Sequence, residues 1–147
     1  MSTQTTTPRD RKQTLLLALT GGLLAALVLN LVVFDDLRTD ASADVAGTFL
    51  APQHLSSILA ALLAVILLGT RHRWGRRVAM TVAWIEIGAF VFFHGIPVEV
   101  GPSKPYWGDG MGDELQWLGF ALILAFSAAI VRAARRPAAG APSPLVA

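Results

Sequence analysis

Cysteine is absent from the 147-residue chain. No disulfide, thiolate nucleophile or cysteine metal ligand is available to it, and the absence carries no information about redox compartment. Charge is scarce as well: 15% of the residues are Asp, Glu, Lys or Arg, against about 25% in an average soluble domain. There are three histidines and one tyrosine. No two histidines stand at i, i+4 spacing, and there is no haem-attachment motif. Strand-like alternation and internal repeats are missing too. What is abundant is apolar: 54% of the chain. A soluble domain of this length has too little interior to hide that fraction, whereas a bilayer is itself an apolar solvent.

The apolar residues fall into four runs, and the sequence predicts an all-α membrane protein, a four-transmembrane-helix antiparallel bundle. Leu15 to Phe34 is uncharged and, at about 1.5 Å per helical residue, spans roughly 30 Å, the thickness of a hydrocarbon core. The other spans are predicted at about 50–69, 78–97 and 114–131, within a membrane domain of residues 14–132. Polar and Pro/Ala-rich composition predicts disordered cytoplasmic tails at 1–13 and 133–147. Pro52 suits the first turn of the second span, where its missing N–H is no loss. Asp113 and Gln116 form a capping-box pattern at the start of the fourth. Ala41-Ser42-Ala43 imitates a signal-cleavage site, but the apolar run before it exceeds the usual length of about 7 to 15 residues, so the first span is expected to be retained. Ala121, Ala125 and Ala129, every fourth residue of the last span, and Gly21, Gly22 and Ala25 of the first read as close-packing faces.

Charge placement predicts orientation. Ten of the twelve Lys and Arg residues lie in the N-terminal tail, the 71–77 hairpin or the C-terminal tail; eight of the ten acids lie in the two other connections. Basic residues accumulate on the cytoplasmic side, so both termini are expected in the cytoplasm and the protein in the plasma membrane. The segregation also argues against nucleic acid as a partner, despite a formal charge of +2. Tyr106, Trp107 and Trp117 would mark the outer interface and Trp74 the inner one.

Polar groups inside spans are costly and mark function or interhelical bonding. Glu86 lies near the middle of the third span. An ionised carboxylate there costs several kcal/mol unless paired or solvated, so a protonated acid, available for general acid–base chemistry, is expected. The plain alternative is a hydrogen-bonded packing group. His94 lies about two turns from Glu86 on the same helix. His54, Asn30 and Gln53 fall at comparable depth in the outer half, with Trp117 near. Together these residues outline a polar cluster with Glu86 at its floor. Each histidine alone reads as an interfacial side chain reaching for water; the cluster as a group is what points to a site. No metal site is expected; His54 and His94 at matched depth are compatible with haem ligation, with no haem motif beside them. The loop from Lys104 to Glu114 reads as an ordered cap or lid over the cluster.

Three functions are compatible with this pattern. The first is a multi-pass protein binding a small lipophilic ligand, or a partner helix, through the outer cluster. The second is a membrane-embedded isomerase or cyclase with Glu86 as general acid or base. The third is a subunit of a small oligomeric transporter. The size and helix count are similar to those of the small multidrug-resistance transporters; that family carries its essential acid in the first helix, where this chain has none. Beyond the lipid bilayer, a homo-oligomer or a partner membrane protein is the expected company.

Overall fold

The computed structural model describes residues 7–33, 45–92 and 114–135. They form four α-helices: α1 (Pro8–Val33), α2 (Val45–Gly69), α3 (Gly75–Phe90) and α4 (Glu114–Arg135). Among the described residues there is no strand. Two stretches, Asp10–Leu31 and Leu118–Arg135, are long and apolar enough to cross a membrane; a third, Gln53–Gly69, is apolar but shorter.

The helices outrun the apolar runs. α1 starts at Pro8, so residues 8–13 of the expected tail are helical. Thr7 supplies the start signal: its Oγ1 accepts the Asp10 backbone N–H at 3.3 Å and donates to the Asp10 carboxylate at 2.6 Å, a capping arrangement with the acid at the favoured end of the helix. α2 begins at Val45, which puts Pro52 two turns inside the helix rather than in its first turn. α4 continues past Val131 to Arg135. α3 is described to Phe90, with a π-type turn at 91–92; the rest of the expected 78–97 span, the 104–113 loop with Tyr106, Trp107 and Asp113, the tail segments 1–6 and 136–147, and Ala41 to Ala43 lie outside the described residues.

Between α2 and α3 the chain reverses in five residues. The His72 N–H bonds to the Leu67 carbonyl at 2.8 Å and the Arg71 N–H to the Leu68 carbonyl at 3.1 Å, with Arg71 at φ 56°. This is a Schellman closure, with arginine where glycine usually supplies the left-handed residue. The turn makes α2 and α3 antiparallel neighbours.

Packing closes a ring. α1 lies against α2, α2 against α3, α3 against α4 and α4 against α1; across the ring α1 and α3 touch slightly, and among the described residues α2 and α4 do not. The interior is built from Leu16, Thr20, Leu23, Leu27 and Asn30 on α1, from His54, Ser57, Ala61, Ala64 and Leu68 on α2, from Gly75, Ala79, Val82 and Glu86 on α3, and from Phe120, Ile123, Ser127, Ile130 and Ala134 on α4. On every helix a line of buried positions, such as 16, 20, 23, 27 and 30 on α1, steps three and four residues in turn. That 3.5-residue average is the seam of left-handed, knobs-into-holes packing. It also corrects the expected face of α4: Ala121 and Ala125 are exposed, and the inward stripe runs through Phe120, Ile123 and Ser127 instead. On α1 the expectation holds for Gly22, against which the Phe126 ring of α4 packs closely, but Gly21 has nothing near it.

Candidate functional site

Six polar side chains of these apolar helices are buried among the core residues, while many large apolar side chains face outward. Glu86 is 4% exposed and Asn30 0%, whereas Leu59 is 66% exposed. Thr20, His54, Ser57 and Ser127 are also buried, while Leu29, Leu55, Leu62, Leu63, Ile66, Trp84 and Ile85 face outward. In water this arrangement is upside down, since burial of an unpaired polar group costs free energy and exposure of Leu forgoes it.

Five of the inward polar side chains meet at one end of the ring. α2 supplies three: Gln53, His54 and Ser57, at i, i+1 and i+4, so that Gln53 and Ser57 stack one turn apart. The Gln53 amide Nε2 donates to Glu86 Oε1 at 3.3 Å and to Ser57 Oγ at 3.3 Å. Gln53 thus links the Ser57 hydroxyl to the Glu86 carboxyl. On the other flank of α2, the Asn30 amide nitrogen of α1 faces His54 Nε2 at 3.5 Å. With that amide donating, the imidazole carries its proton on Nδ1. His54 is the chain neighbour of Gln53, the residue bonded to Glu86. α2 therefore bridges α1 to α3 through two adjacent polar contacts. One turn beyond Glu86, Phe90 meets Phe120 of α4 edge-on, with ring centroids 5.7 Å apart, an apolar lid over that side of the cluster.

The structure thus brings together Asn30, Gln53, His54 and Glu86 of the sequence-derived set. Gln53 reaches Glu86 directly. His54 is not in the first turn of its helix but well inside it, because α2 begins earlier than its apolar run. His94 lies outside the described residues, as does the side chain of Trp117, whose backbone belongs to the first turn of α4. The haem option therefore gains no geometry from His54, and among the described residues no three His, Asp or Glu side chains are grouped to hold a metal. Ser57 is the member that sequence reasoning missed. Its signal was its spacing, three residues after His54 and four after Gln53, which places it on the same helix face as both.

Chemically, the cluster pairs one carboxyl with an amide donor and gathers a hydroxyl and an imidazole around them. Such a group can bind a hydrogen-bonding ligand head or pass a proton between an acid and a base. No protein-family model, no curated protein and no solved structure matches the chain.

Proposed function

We propose that the chain is a plasma-membrane protein that crosses the bilayer four times with both termini in the cytoplasm, and that it holds the hydrogen-bonding head of a small lipophilic ligand in the cluster of Asn30, Gln53, His54, Ser57 and Glu86. The observation that carries the reading is a polar cluster, with Glu86 and Asn30 buried, inside a ring whose outer face exposes leucine and isoleucine. Lipid rewards that arrangement, because hydrocarbon solvates leucine and leaves polar groups to find partners between helices.

The orientation draws support from the opposite end of the ring. There the start of α1, the α2–α3 turn and the end of α4 come together: Gln13 Nε2 donates to the Leu68 carbonyl at 2.8 Å, Arg71 pairs with Asp10 at 3.2 Å, and Arg76 Nη2 donates to the Ala134 carbonyl. The three basic segments of the sequence therefore share one side, the side that lysine and arginine mark as cytoplasmic. The polar cluster then lies in the outer half.

Because the chain has no cysteine, single-cysteine labelling reads topology directly. Arg73→Cys is expected to label only after the cells are permeabilised, and Ser103→Cys from outside intact cells. For the ligand, the protein is purified in mild detergent and its bound small molecules are extracted and weighed by mass spectrometry. A stoichiometric lipophilic species is expected with the wild type and lost with Glu86→Leu. If the wild type carries none, the ligand-binding reading fails.

The place of His54 next to Gln53, which is bonded to Glu86, favours one second reading: an isomerase or cyclase in which Glu86 gives or takes a proton and His54 is its partner. Turnover of a candidate substrate that survives Glu86→Gln would exclude it.

A further inference from the structure

The end of the ring remote from the polar cluster carries nearly all of the described charge, and almost all of one sign. Arg71, Arg73, Arg76 and Arg77 lie in and just after the α2–α3 turn, Arg11 and Lys12 near the start of α1, and Arg132 and Arg135 in the last turn of α4. Among the described residues at this end Asp10 is the one acid, and it is engaged by Arg71.

The arginines are not spread at random. Arg77 stacks over the Trp74 indole at 4.8 Å and Arg73 over the same ring at 5.8 Å, while Arg135 stacks over Trp84 at 5.2 Å. Both indoles are nearly half exposed. A guanidinium laid on an indole keeps its in-plane N–H groups, so stacking orders the donors without using them. Arg76 differs, since its guanidinium is bonded to the Ala134 carbonyl at the end of α4. Arg76 and Arg77 also occupy the first turn of α3, where a helix favours negative charge, and the N-cap residue there, Trp74, makes no side-chain capping bond. Sequence and helix polarity together accumulate positive potential around one exposed indole.

We propose that Arg73, Arg77 and Trp74 form a site for the phosphate of an anionic phospholipid in the leaflet on this side. The inference rests on the four-span reading, which is what sets the turn at headgroup level. The two guanidiniums converge on one phosphate, the indole takes the interfacial position usual for tryptophan, and the acyl chains follow the exposed Leu59, Leu63 and Ile66 of the adjoining helix. The net negative charge of the headgroup is what the site selects, because Asp10 is already committed to Arg71.

The test uses the full-length protein in mild detergent, with phosphatidylglycerol or phosphatidylcholine of identical acyl chains added and retained lipid counted by native mass spectrometry. Phosphatidylglycerol is expected to bind in preference to phosphatidylcholine. Each arginine contributes about a fivefold factor in affinity, so R73Q/R77Q is expected to weaken phosphatidylglycerol about 25-fold with little effect on phosphatidylcholine. Arg71→Gln, whose charge Asp10 balances, is expected to change it by less than about twofold. If R73Q/R77Q does not fold, the wild type gives the same answer: raising the salt about tenfold should release phosphatidylglycerol selectively. Equal retention of the two lipids overturns the site. So does full displacement of the lipid by inorganic phosphate, which would reassign it to a soluble anion. Alkaline extraction of membranes is run in parallel. A chain released by alkali fails the four-span reading itself, whereas a chain that stays in the membrane without discriminating between the lipids fails this proposal alone.

Discussion

Gly75 opens α3 where that helix folds back on α2, and the two backbones meet there with no side chain between them. A methyl group at Gly75 would stand 2.9 Å from the carbonyl carbon of Leu67 and 2.9 Å from the amide nitrogen of Leu68. Atoms in ordinary contact rest about 3.5–4.0 Å apart, so the first turn of α3 would have to retreat by roughly 0.6–1 Å. Nothing flexible absorbs the movement. The opposing atoms are backbone, and the same segment is held by the His72 N–H on the Leu67 carbonyl and the Gln13 amide on the Leu68 carbonyl, both at 2.8 Å. Gly75→Ala is therefore expected to cost about 2 kcal/mol, in the middle of the range for an overpacked contact. Gly88 of the same helix is the control, because a methyl group there meets nothing within 4 Å. Gly88→Ala removes only the conformational cost of glycine in a helix and should gain up to about 1 kcal/mol. Stepwise titration with a denaturing detergent in mixed micelles, followed by far-ultraviolet circular dichroism, measures both. A Gly75→Ala midpoint equal to wild type, or a Gly88→Ala loss as large as that of Gly75→Ala, would refute the close approach of the two backbones at this turn.

The same titration checks three further substitutions. Glu86→Gln keeps an oxygen acceptor for Gln53 and should change stability by less than about 0.5 kcal/mol, whereas Glu86→Leu strands one Gln53 N–H and should cost about 1–3 kcal/mol; equal losses would show that charge, not hydrogen bonding, holds the cluster. Arg71→Gly relieves a left-handed arginine, worth about 1 kcal/mol, at the expense of an exposed ion pair with Asp10 worth about 0.5 kcal/mol, for a small net gain; a net loss would mean that the pair outweighs the backbone. Ser127 Oγ is buried with no hydrogen-bond partner among the described residues, so Ser127→Ala should stabilise by about 0.5–1 kcal/mol; a loss would identify an occupant that uses the hydroxyl.

Helix positions were legible because they depend on local quantities: runs of uncharged residues and the charges that interrupt them. The Arg71–Arg77 hairpin is an instance, since seven residues between two apolar runs leave room only for an antiparallel reversal. Boundaries were less legible. Residues 8–13 are polar, yet Thr7 and Asp10 cap them into α1, a signal that hydropathy does not contain. Helix rotation was the least legible of all. In a soluble helix apolar residues mark the inside, but Leu59 and Leu27 are equally apolar and face opposite ways. The alanine stripe of α4 misled for that reason: small size permits close packing without requiring it, and Ala121 and Ala125 face outward. What fixes rotation here is polarity. Thr20, Asn30, His54, Ser57, Glu86 and Ser127 all turn inward, and Ser57, ordinary by itself, falls into the site once His54 has fixed the rotation of α2.

The residues that orient the helices are thus the same ones that form the site, and this constrains how a ligand could enter it. Leucine and alanine distinguish poorly between a neighbouring helix and a lipid tail, so the Gln53–Glu86 and Asn30–His54 contacts are what discriminate the native rotation from its alternatives. A ligand head that takes a hydrogen bond from Gln53 displaces the Glu86 oxygen or the Ser57 hydroxyl, and it binds only if it returns an equivalent bond, since a stranded polar group in this interior costs about 1–3 kcal/mol. Such a ligand must therefore both donate and accept, as a hydroxyl or a carboxylic acid does. A pure acceptor such as a ketone satisfies Gln53 but leaves the carboxyl to find another donor. Competition between a long-chain alcohol and the matching ketone for the purified protein separates the two cases, and preference for the ketone would contradict an exchange of partners at Glu86.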